Sequence, residues 1–366
     1  MKMPAGREKE YSGKKIRLSI YRMALTFAFL IIILITGASA FVRNQVASWS
    51  GNFYIQAALY LIIFRIVYDL VFLALDFYSS FTVEHKFSLS NQTFFDWIKQ
   101  GLKKWVLSFV LFILVAVALY AVLRYFPNNW WLVAMGGWFV LTIVLGKLAP
   151  VLIIPLFYKC TRLDKNELKE RLLKLSGACN VKIKEVYEIQ LSKETKKANA
   201  AVVGFGKSKR VLLADSLLAE YSDDEIEAIF AHELGHICLH HISKIFVFGA
   251  AVSFIVFYLA YISFDKSMVL FGFEHVYDVA AFPLLVLIFS LAGLIFLPLQ
   301  NTFSRHLEKQ ADLFAVNHIE NKENFASALS KLGKQNLSDP SPGKFVKIFF
   351  YSHPPISERI SYTLNK

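Results

Sequence analysis

The chain has 366 residues, of which 55% are hydrophobic and 34 are phenylalanine, and its mean hydropathy is +0.45. This composition excludes an ordinary soluble enzyme and predicts a polytopic membrane protein. The net charge of +12 does not indicate nucleic-acid binding, because no soluble segment carries a basic patch interleaved with aromatic residues. The three cysteines, Cys160, Cys179 and Cys238, lack the spacing of a disulfide framework or a metal site, so reduced thiols are expected.

Six apolar windows have about the 20-residue length that is needed to cross a bilayer. They cover approximately residues 23–42, 54–77, 105–125, 130–157, 245–264 and 281–302. The small residues of ITGASAF, at 35–41, resemble a signal-peptidase site. The apolar run continues past Ala40 and follows a long charged leader, so we expect an uncleaved first span.

The basic residues indicate how the spans are oriented. Seven Lys and Arg residues precede the first span and four lie in loop 78–104, whereas loop 43–53 has one and loop 265–280 is net acidic. Cytosolic loops of membrane proteins carry an excess of Lys and Arg. We therefore expect both termini, loop 78–104 and the polar segment 158–244 to lie on the cytosolic side of a multi-pass protein.

The second span contains three ionisable residues, Arg65, Asp69 and Asp76. Arg65 and Asp69 are one helical turn apart, and Asp76 lies two turns further along the same face. Charged side chains at this depth face protein or a water-filled cavity rather than lipid. An ion pair within the bundle and a contact with substrate both remain open, and the ion pair is favoured.

The largest polar segment, 158–244, predicts a small α+β insert between spans four and five. It contains a periodic helix ending near Gly177, an alternating strand in VKIKEVYEIQ, and two short strands around a Gly/Lys turn in NAAVVGFGKSKRVLLADSLL. Ser222 lies three residues before Glu225 and forms with it a capping box that starts another helix. We expect this last helix to continue into span five as one nearly continuous rod.

The last helix of the insert carries the motif HELGH, with His232 and His236 four residues apart. On a helix both imidazoles project from one face, within reach of a single Zn²⁺. Glu233 follows the first histidine, where a carboxylate can take a proton from water as a general base. The motif therefore predicts a zinc site, against the alternative of a surface helix with scattered polar residues.

A catalytic zinc site uses three protein ligands, and several residues could supply the third. The metzincin pattern is excluded, because Leu239 and Ile242 occupy the places of its glycine and third histidine. His240 continues the face of the two histidines one turn further along, and is expected to be interfacial or to support a ligand. Glu308 and Asp312, in EKQAD, are four residues apart on a predicted helix, so one could bind the metal and the other support a histidine. A solvated acidic face is the alternative for this pair.

Five stretches of the chain carry a family resemblance: EHKFSLSNQTFFDWIKQGLK, NAAVVGFGKSKRVLLADSLL, HELGH, EKQAD and SHPPISERI. Together they resemble the type I CAAX prenyl endopeptidases, integral-membrane zinc metalloproteases related to the HtpX quality-control proteases. The resemblance extends from about residue 80 to residue 362. The eukaryotic prenyl proteases are longer and are usually drawn with seven spans, whereas six are predicted here.

The resemblance implies a gluzincin-type metal site. Its zinc ligands would be His232, His236 and Glu308, with one Zn²⁺ per chain. Glu233 would be the catalytic general base and acid, and Asp312 would support the site.

The resemblance also implies residues that contact the substrate. Asn199 and Ala200 fall on the family's edge strand, where a peptide can add through main-chain hydrogen bonds. His353 matches a catalytic histidine that contacts the substrate and steadies the tetrahedral intermediate. Without the family, Asn199 is interpreted as a turn residue and His353 as a loop histidine before two prolines.

The expected fold class is mainly α: a polytopic membrane bundle or barrel of about six spans with a small cytosolic α+β zinc-metalloprotease insert. The expected regions are 1–157 with four spans and the cytosolic loop 78–104, 158–244 with the zinc helix, 245–302 with two spans, and 303–366 with the third ligand and the HPP motif.

The implied activity is removal of the C-terminal tripeptide from prenylated proteins, with the catalytic residues at the cytosolic boundary of the bilayer. The expected partners are a peptide or protein substrate, lipidated or membrane-embedded, and the lipid bilayer itself, without nucleic acid. HtpX-like cleavage of misfolded membrane proteins is the alternative. An inactive binding scaffold is a remote one, because the ligand set and Glu233 are intact.

Overall fold

The structure, a computed structural model, describes residues 6–204 and 209–365 and is mainly helical. Its α-helices are α1 (Arg7–Ile35), α2 (Ala38–Trp49), α3 (Phe53–Phe77), α4 (Val83–Lys86), α5 (Phe94–Tyr125), α6 (Trp130–Leu148), α7 (Ile154–Phe157), α8 (Asn166–Ala178), α9 (Asp215–Glu220), α10 (Asp223–Cys238), α11 (His241–Met268), α12 (Phe282–His318), α13 (Lys322–Gln335), α14 (Lys344–Phe350) and α15 (Ile356–Leu364). Two π-helical segments, Tyr78–Thr82 and Ala149–Ile153, join α3 to α4 and α6 to α7.

Within the described residues, 6 helical segments are long and apolar enough to cross a membrane. They are Arg7–Ile35, Phe53–Lys86, Phe94–Tyr125, Trp130–Phe157, His241–Phe271 and Val279–His318. The predicted mainly helical, multi-pass architecture is therefore confirmed. The predicted end of the first span, at residue 42, is wrong because α1 stops at Ile35 and Gly37 takes a left-handed φ of 71° before α2 begins.

The ionisable residues of the second span form ion pairs with one another or with α1. Arg65 Nε donates to Asp69 Oδ2 at 2.7 Å, and the indole of Trp105 donates to the same oxygen at 2.8 Å. Asp76 pairs with Arg22 of α1. These contacts favour the structural interpretation of the three charges.

The N-terminal helix is longer than the hydrocarbon core of a bilayer requires. At about 1.5 Å per residue, the 29 residues of α1 exceed the ~30 Å hydrocarbon core. Near its start, the Tyr11 hydroxyl donates to Glu84 Oε1 at 2.7 Å, and Lys15 Nζ lies 3.0 Å from the same oxygen. These contacts hold the first turns of α1 beside α4.

The polar segment contains a four-stranded sheet. Its strands are β1 (Cys160–Arg162), β2 (Glu185–Ile189), β3 (Ala200–Val203) and β4 (Arg210–Ala214), in the spatial order β1-β2-β4-β3. The β1/β2 and β3/β4 pairs are antiparallel, and β2 and β4 are parallel. The predicted strands are found at shorter lengths, β3 lies at an edge of the sheet, and residues 205–208 of the predicted Gly/Lys turn lie outside the described residues.

The hydrophobic core has a membrane part and a sheet part. In the membrane part, Tyr60, Tyr120 and Trp130 are almost completely buried. In the sheet part, apolar side chains of β2, β4, α8 and α10 pack together, with Leu213 and Phe230 at the centre. This second core fixes α10 against the sheet.

The helix α10 begins at the predicted capping box. The Ser222 side chain accepts from the Glu225 backbone N–H, and the Glu225 carboxylate accepts from the Ser222 N–H. Further along, a Cβ added at Gly235 would lie 3.0 Å from the Cα of Ala311. The absence of a side chain at Gly235 therefore lets α10 and α12 approach closely, beside the two histidines of HELGH.

The predicted rod from the zinc helix into span five is wrong. Helix α10 ends at Cys238, and α11 begins at His241. His240 separates them with a left-handed φ of 54°, a backbone conformation that ends helices. The break lets α11 leave in a new direction.

Candidate metal centre

The two histidines of HELGH and the first carboxylate of EKQAD converge on one point. His232 Nε2 and His236 Nε2 are 3.2 Å apart, and each lies 3.4 Å from a Glu308 carboxylate oxygen. Tetrahedral zinc with ligands at 2.0–2.2 Å spaces them about 3.3–3.6 Å apart. The observed separations are close to these, so the three side chains fit a metal ion of this size.

Burial strengthens this interpretation. His232 and Glu308 are 7% and 6% exposed, and a buried carboxylate is costly unless it is paired or binds a metal. Burial, together with the nearby His232, lowers the pKa of His236 to about 4. That imidazole is therefore neutral near pH 7, as a metal ligand must be.

Asp312 lies behind the first histidine. Its Oδ1 is 2.7 Å from His232 Nδ1, on the side of the ring opposite the convergence point. Arg359 of α15 donates to both Asp312 oxygens, at 2.6 and 2.8 Å, and Tyr362 donates to Oδ2. Burial lowers the pKa of His232, but the hydrogen bonds to Asp312 and Glu308 raise it to about 9, so a metal ion at Nε2 would have to displace a proton.

Glu233 lies beside the metal ligands at the wall of a cleft of about 540 Å³, which is also lined by Asn199, Ala200 and His353. Burial raises the pKa of Glu233, and the proximity of His232 opposes that rise. The Val202 amide of β3 hydrogen-bonds to its carboxylate. The carboxylate is therefore fixed between the metal site and the edge strand.

The edge strand presents alternate backbone groups to this cleft. Ala214 N–H donates to Asn199 O at 3.0 Å, so residues 199 and 214 form a hydrogen-bonded pair of the antiparallel ladder. Because such pairs alternate along the strand, Ala200 and Val202 turn their backbone groups to the free edge. The contact of Val202 with Glu233 agrees with this alternation.

His353 follows α14 and lies against the ligand set. Its Nδ1 is 2.7 Å from Glu308 Oε2, and its side chain is 59% exposed. The ring is therefore accessible from the cleft and touches a ligand carboxylate. All eight site residues predicted from the sequence therefore line this cleft or contact a residue that lines it: Asn199, Ala200, His232, Glu233, His236, Glu308, Asp312 and His353.

A model of peptidase family M48 matches residues 162–365, more than half of the chain. The chain belongs to peptidase family M48. A second model, described as the CAAX prenyl protease N-terminal region with five membrane helices, matches residues 5–159.

Individual relatives of this M48 chain agree with the family models. It is similar to the uncharacterised metalloprotease YhfN of Bacillus subtilis, with 30% identity over 97% of this chain and 84% of the relative. It is 32% identical to a CAAX prenyl protease 1 homologue of Arabidopsis thaliana, over 77% of this chain and 67% of the relative. The crystal structure of S. mikatae Ste24p matches with a TM-score of 0.86 and 26% identity, over 97% of this chain and 88% of that one.

These matches confirm the resemblance stated from the sequence. The chain is a membrane metalloendopeptidase similar to the CAAX prenyl proteases, and the HtpX-like alternative is not favoured. Membership of M48 implies a bound metal. Among the described residues, the group that could hold this metal consists of His232, His236 and Glu308, whose donor atoms all lie within 4.8 Å of one another.

Several functional contacts of this M48 chain were not predicted from the sequence. Arg359 and Tyr362 contact Asp312 from about 50 residues away, and no local pattern in SERISY indicates that partner. The sequence also directed attention to His240, which is exposed, whereas the fully buried His241 contacts His236. The adjacent histidines 240 and 241 were the available signal. Helical periodicity favoured His240, because it assumes one continuous helix, whereas the helix breaks at His240 and His241 makes the contact.

Proposed function

We propose that the protein is a zinc endopeptidase that cleaves prenylated C-a-a-X tails at the cytosolic boundary of the bilayer. One observation carries the proposal: three donor atoms of His232, His236 and Glu308 converge beside the free edge of β3. A site of this kind can bind one zinc ion and an extended peptide next to each other.

The chemistry is divided among few residues. When bound, zinc acts as a Lewis acid that polarises a carbonyl and lowers the pKa of water. Glu233 accepts the proton of the attacking water and returns it to the leaving amine. Its raised pKa suits a group that must hold the proton between these two steps.

The substrate binds by adding a strand to the sheet. The outward backbone groups of Ala200 and the outward carbonyl of Val202 pair with the peptide main chain, and the Asn199 side chain orients it at the start of the strand. His353 approaches from the opposite loop and donates to the developing oxyanion. Asp312 keeps His232 oriented through the 2.7 Å contact with Nδ1.

A lipid on the substrate explains why the site is joined to membrane helices. Helix α12 is apolar in its first part and carries Glu308 in the more polar part that follows, so we place the metal site just beyond the apolar part of this span. Prenylated tails are held at the bilayer surface, and their scissile bonds therefore lie at that depth. The relatives named as CAAX prenyl proteases support this substrate class.

The proposal is tested with the detergent-purified protein and two peptides of identical sequence, one farnesylated on the C-a-a-X cysteine and one not. We expect one zinc ion per chain and release of the tripeptide from the farnesylated peptide at least about tenfold faster, given ~0.8 kcal/mol per buried CH₂. Equal cleavage of both peptides would contradict the prenyl specificity, and a purified protein that cleaves without any metal would contradict the zinc mechanism.

A further inference from the structure

The second histidine of HELGH has a buried partner of its own. His241 is 0% exposed, and its Nδ1 lies 3.0 Å from His236 Nδ1. This contact depends on the break between α10 and α11, because the left-handed backbone of His240 lets the first residue of α11 face back toward α10. A continuous helix would separate residues 236 and 241 by about 7.5 Å along its axis, at 1.5 Å per residue.

The contact is one link of a longer hydrogen-bonded chain. His241 Nε2 lies 3.1 Å from Gln310 Oε1, and Gln310 Nε2 lies 2.9 Å from His306 Nε2. Lys244 Nζ is 3.5 Å from the same Gln310 oxygen. The amide oxygen of Gln310 therefore faces His241 and its nitrogen faces His306. The ammonium of Lys244, which can only donate, agrees with this orientation.

The direction of each hydrogen bond then follows in order. The Gln310 oxygen only accepts, so His241 Nε2 carries the hydrogen that it donates. A neutral imidazole has one N–H, so His241 Nδ1 is an acceptor. His236 Nδ1 must therefore be the donor, and its Nε2 lone pair is left free. That Nε2 is the atom that lies 3.4 Å from Glu308 and 3.2 Å from His232 Nε2.

We propose that His241 and Gln310 are positioning residues that hold His236 in the Nδ1–H tautomer, with Nε2 directed to the metal. The inference rests on the proposed zinc site. His241 does for His236 what Asp312 does for His232, but with a neutral acceptor in place of a carboxylate. One histidine is therefore supported by a buried ion pair, Asp312 with Arg359, and the other by His241, whose ring is held in turn by Gln310.

The test measures zinc affinity by competition with a chelator, in the full-length protein in detergent. His241→Phe retains an aromatic ring but removes the acceptor, and we expect zinc binding to weaken about 10–100-fold. His241→Asn offers its Oδ1 near the place of Nδ1, so we expect affinity within about fivefold of the parent. The matched control is His240→Asn at the exposed neighbouring position, where asparagine tolerates the left-handed backbone and affinity should not change.

Two results would overturn the inference. One is a folded His241→Phe protein that binds zinc as tightly as the parent. The other is a His241→Asn protein that binds as weakly as His241→Phe, because packing rather than hydrogen bonding would then explain the loss. The visible absorption of the Co²⁺-substituted proteins gives a second readout, since a misoriented His236 changes the ligand field whereas a purely structural effect does not.

A further variant covers the case in which His241→Phe does not fold. Gln310→Leu leaves His241 in place but removes the acceptor of its Nε2–H, together with the contacts of Gln310 with His306 and Lys244. We expect weaker zinc binding than in the parent. Parent-like affinity in Gln310→Leu would overturn the positioning role of Gln310. If the parent protein binds no zinc at all, the proposed metal site itself is wrong. If the parent and the variants bind zinc equally well, only the positioning role of His241 and Gln310 is wrong.

Discussion

At the scale of single residues, each of the three candidate metal ligands has a second contact. His232 is held by Asp312, His236 by His241, and Glu308 is touched by His353. Glu233 stands apart from these pairs, because its carboxylate faces the cleft and hydrogen-bonds the edge strand. Its contribution should therefore be to catalysis and not to metal binding.

Replacing Glu233 with glutamine tests that separation of roles. We expect Glu233→Gln to lower kcat about 10²–10⁴-fold, the contribution typical of a general base, while the protein still binds one zinc ion. Peptide cleavage and metal content are measured on the same preparation. Glu170→Gln, at an exposed position of α8, is the matched control, and unchanged cleavage by Glu233→Gln would contradict the assignment.

The site residues that could be predicted from the sequence are pairs that lie close together along the chain. The pairs 232/236 and 308/312 are each one helical turn apart, so helical spacing alone places both members on one face. Arg359, Tyr362 and His241 could not be found in this way. The first two reach Asp312 through tertiary packing, and the third depends on a helix break that hydrophobic periodicity does not reveal.

At the scale of elements, the edge strand β3 and the capped helix α10 form two walls of the candidate site. Strand β3 pairs with β4 on one side and presents Ala200 and Val202 to the cleft on the other. Both strands were predicted from alternation and turn residues. Their order in the sheet could not be predicted, because the parallel pairing of β2 with β4 is not a local property of the sequence.

A proline at position 200 tests whether the substrate pairs with this strand. Proline removes the outward N–H and is tolerated on an edge strand when that group faces away from the ladder. We expect Ala200→Pro to lower kcat/KM about 2–10-fold, the loss of one hydrogen bond, with little change in thermal stability. Ala200→Val retains the N–H and is the control; equal activity of both variants would exclude main-chain pairing at this residue.

The capping box makes the zinc helix sensitive to the charge of Glu225. Burial opposes ionisation of Glu225, but hydrogen bonds from Lys331 and Ser327 outweigh it and lower its pKa below the usual value. A carboxyl whose pKa is lower when folded stabilises the protein above its unfolded pKa of about 4.3. That contribution is lost as the pH falls through the folded pKa.

Glu225→Gln should therefore destabilise the protein by about 1–2 kcal/mol at pH 7, the lower part of the range for charged hydrogen bonds, since Lys331 is half-exposed. Thermal unfolding in detergent measures the difference. The parent and the variant should converge as the pH falls below about 4.3. Glu220→Gln, at an exposed position of α9, is the control, and a gap between parent and variant that does not narrow at low pH would refute the role of the charge.

At the scale of the whole molecule, the described residues contain 6 helical segments apolar enough to span a membrane, and the candidate site is built from separated segments. Helix α10 contributes two candidate ligands, α12 contributes the third, and the loop before α15 contributes His353. The number of spans could be predicted from hydropathy. The break between α10 and α11 could not, because no glycine or proline between His236 and Lys244 marks it.

The distribution of basic residues predicts which side of the membrane carries the site. A cysteine placed at Lys99 should react with an impermeant maleimide only after the membrane is opened, whereas one at Glu274 should react in intact cells. Both positions are exposed, and the three native cysteines are replaced by serine beforehand. Labelling in the reverse pattern would place the metal site outside the cytosol.

Metal removal tests the central claim most directly. We expect a chelator to abolish cleavage of the farnesylated peptide, and one equivalent of zinc per chain to restore it. In Glu308→Gln, whose neutral amide is a poor substitute for a ligand carboxylate, zinc should bind at least about tenfold more weakly. Full cleavage by the metal-free protein, or parent-like zinc affinity in Glu308→Gln, would contradict a zinc site formed by His232, His236 and Glu308.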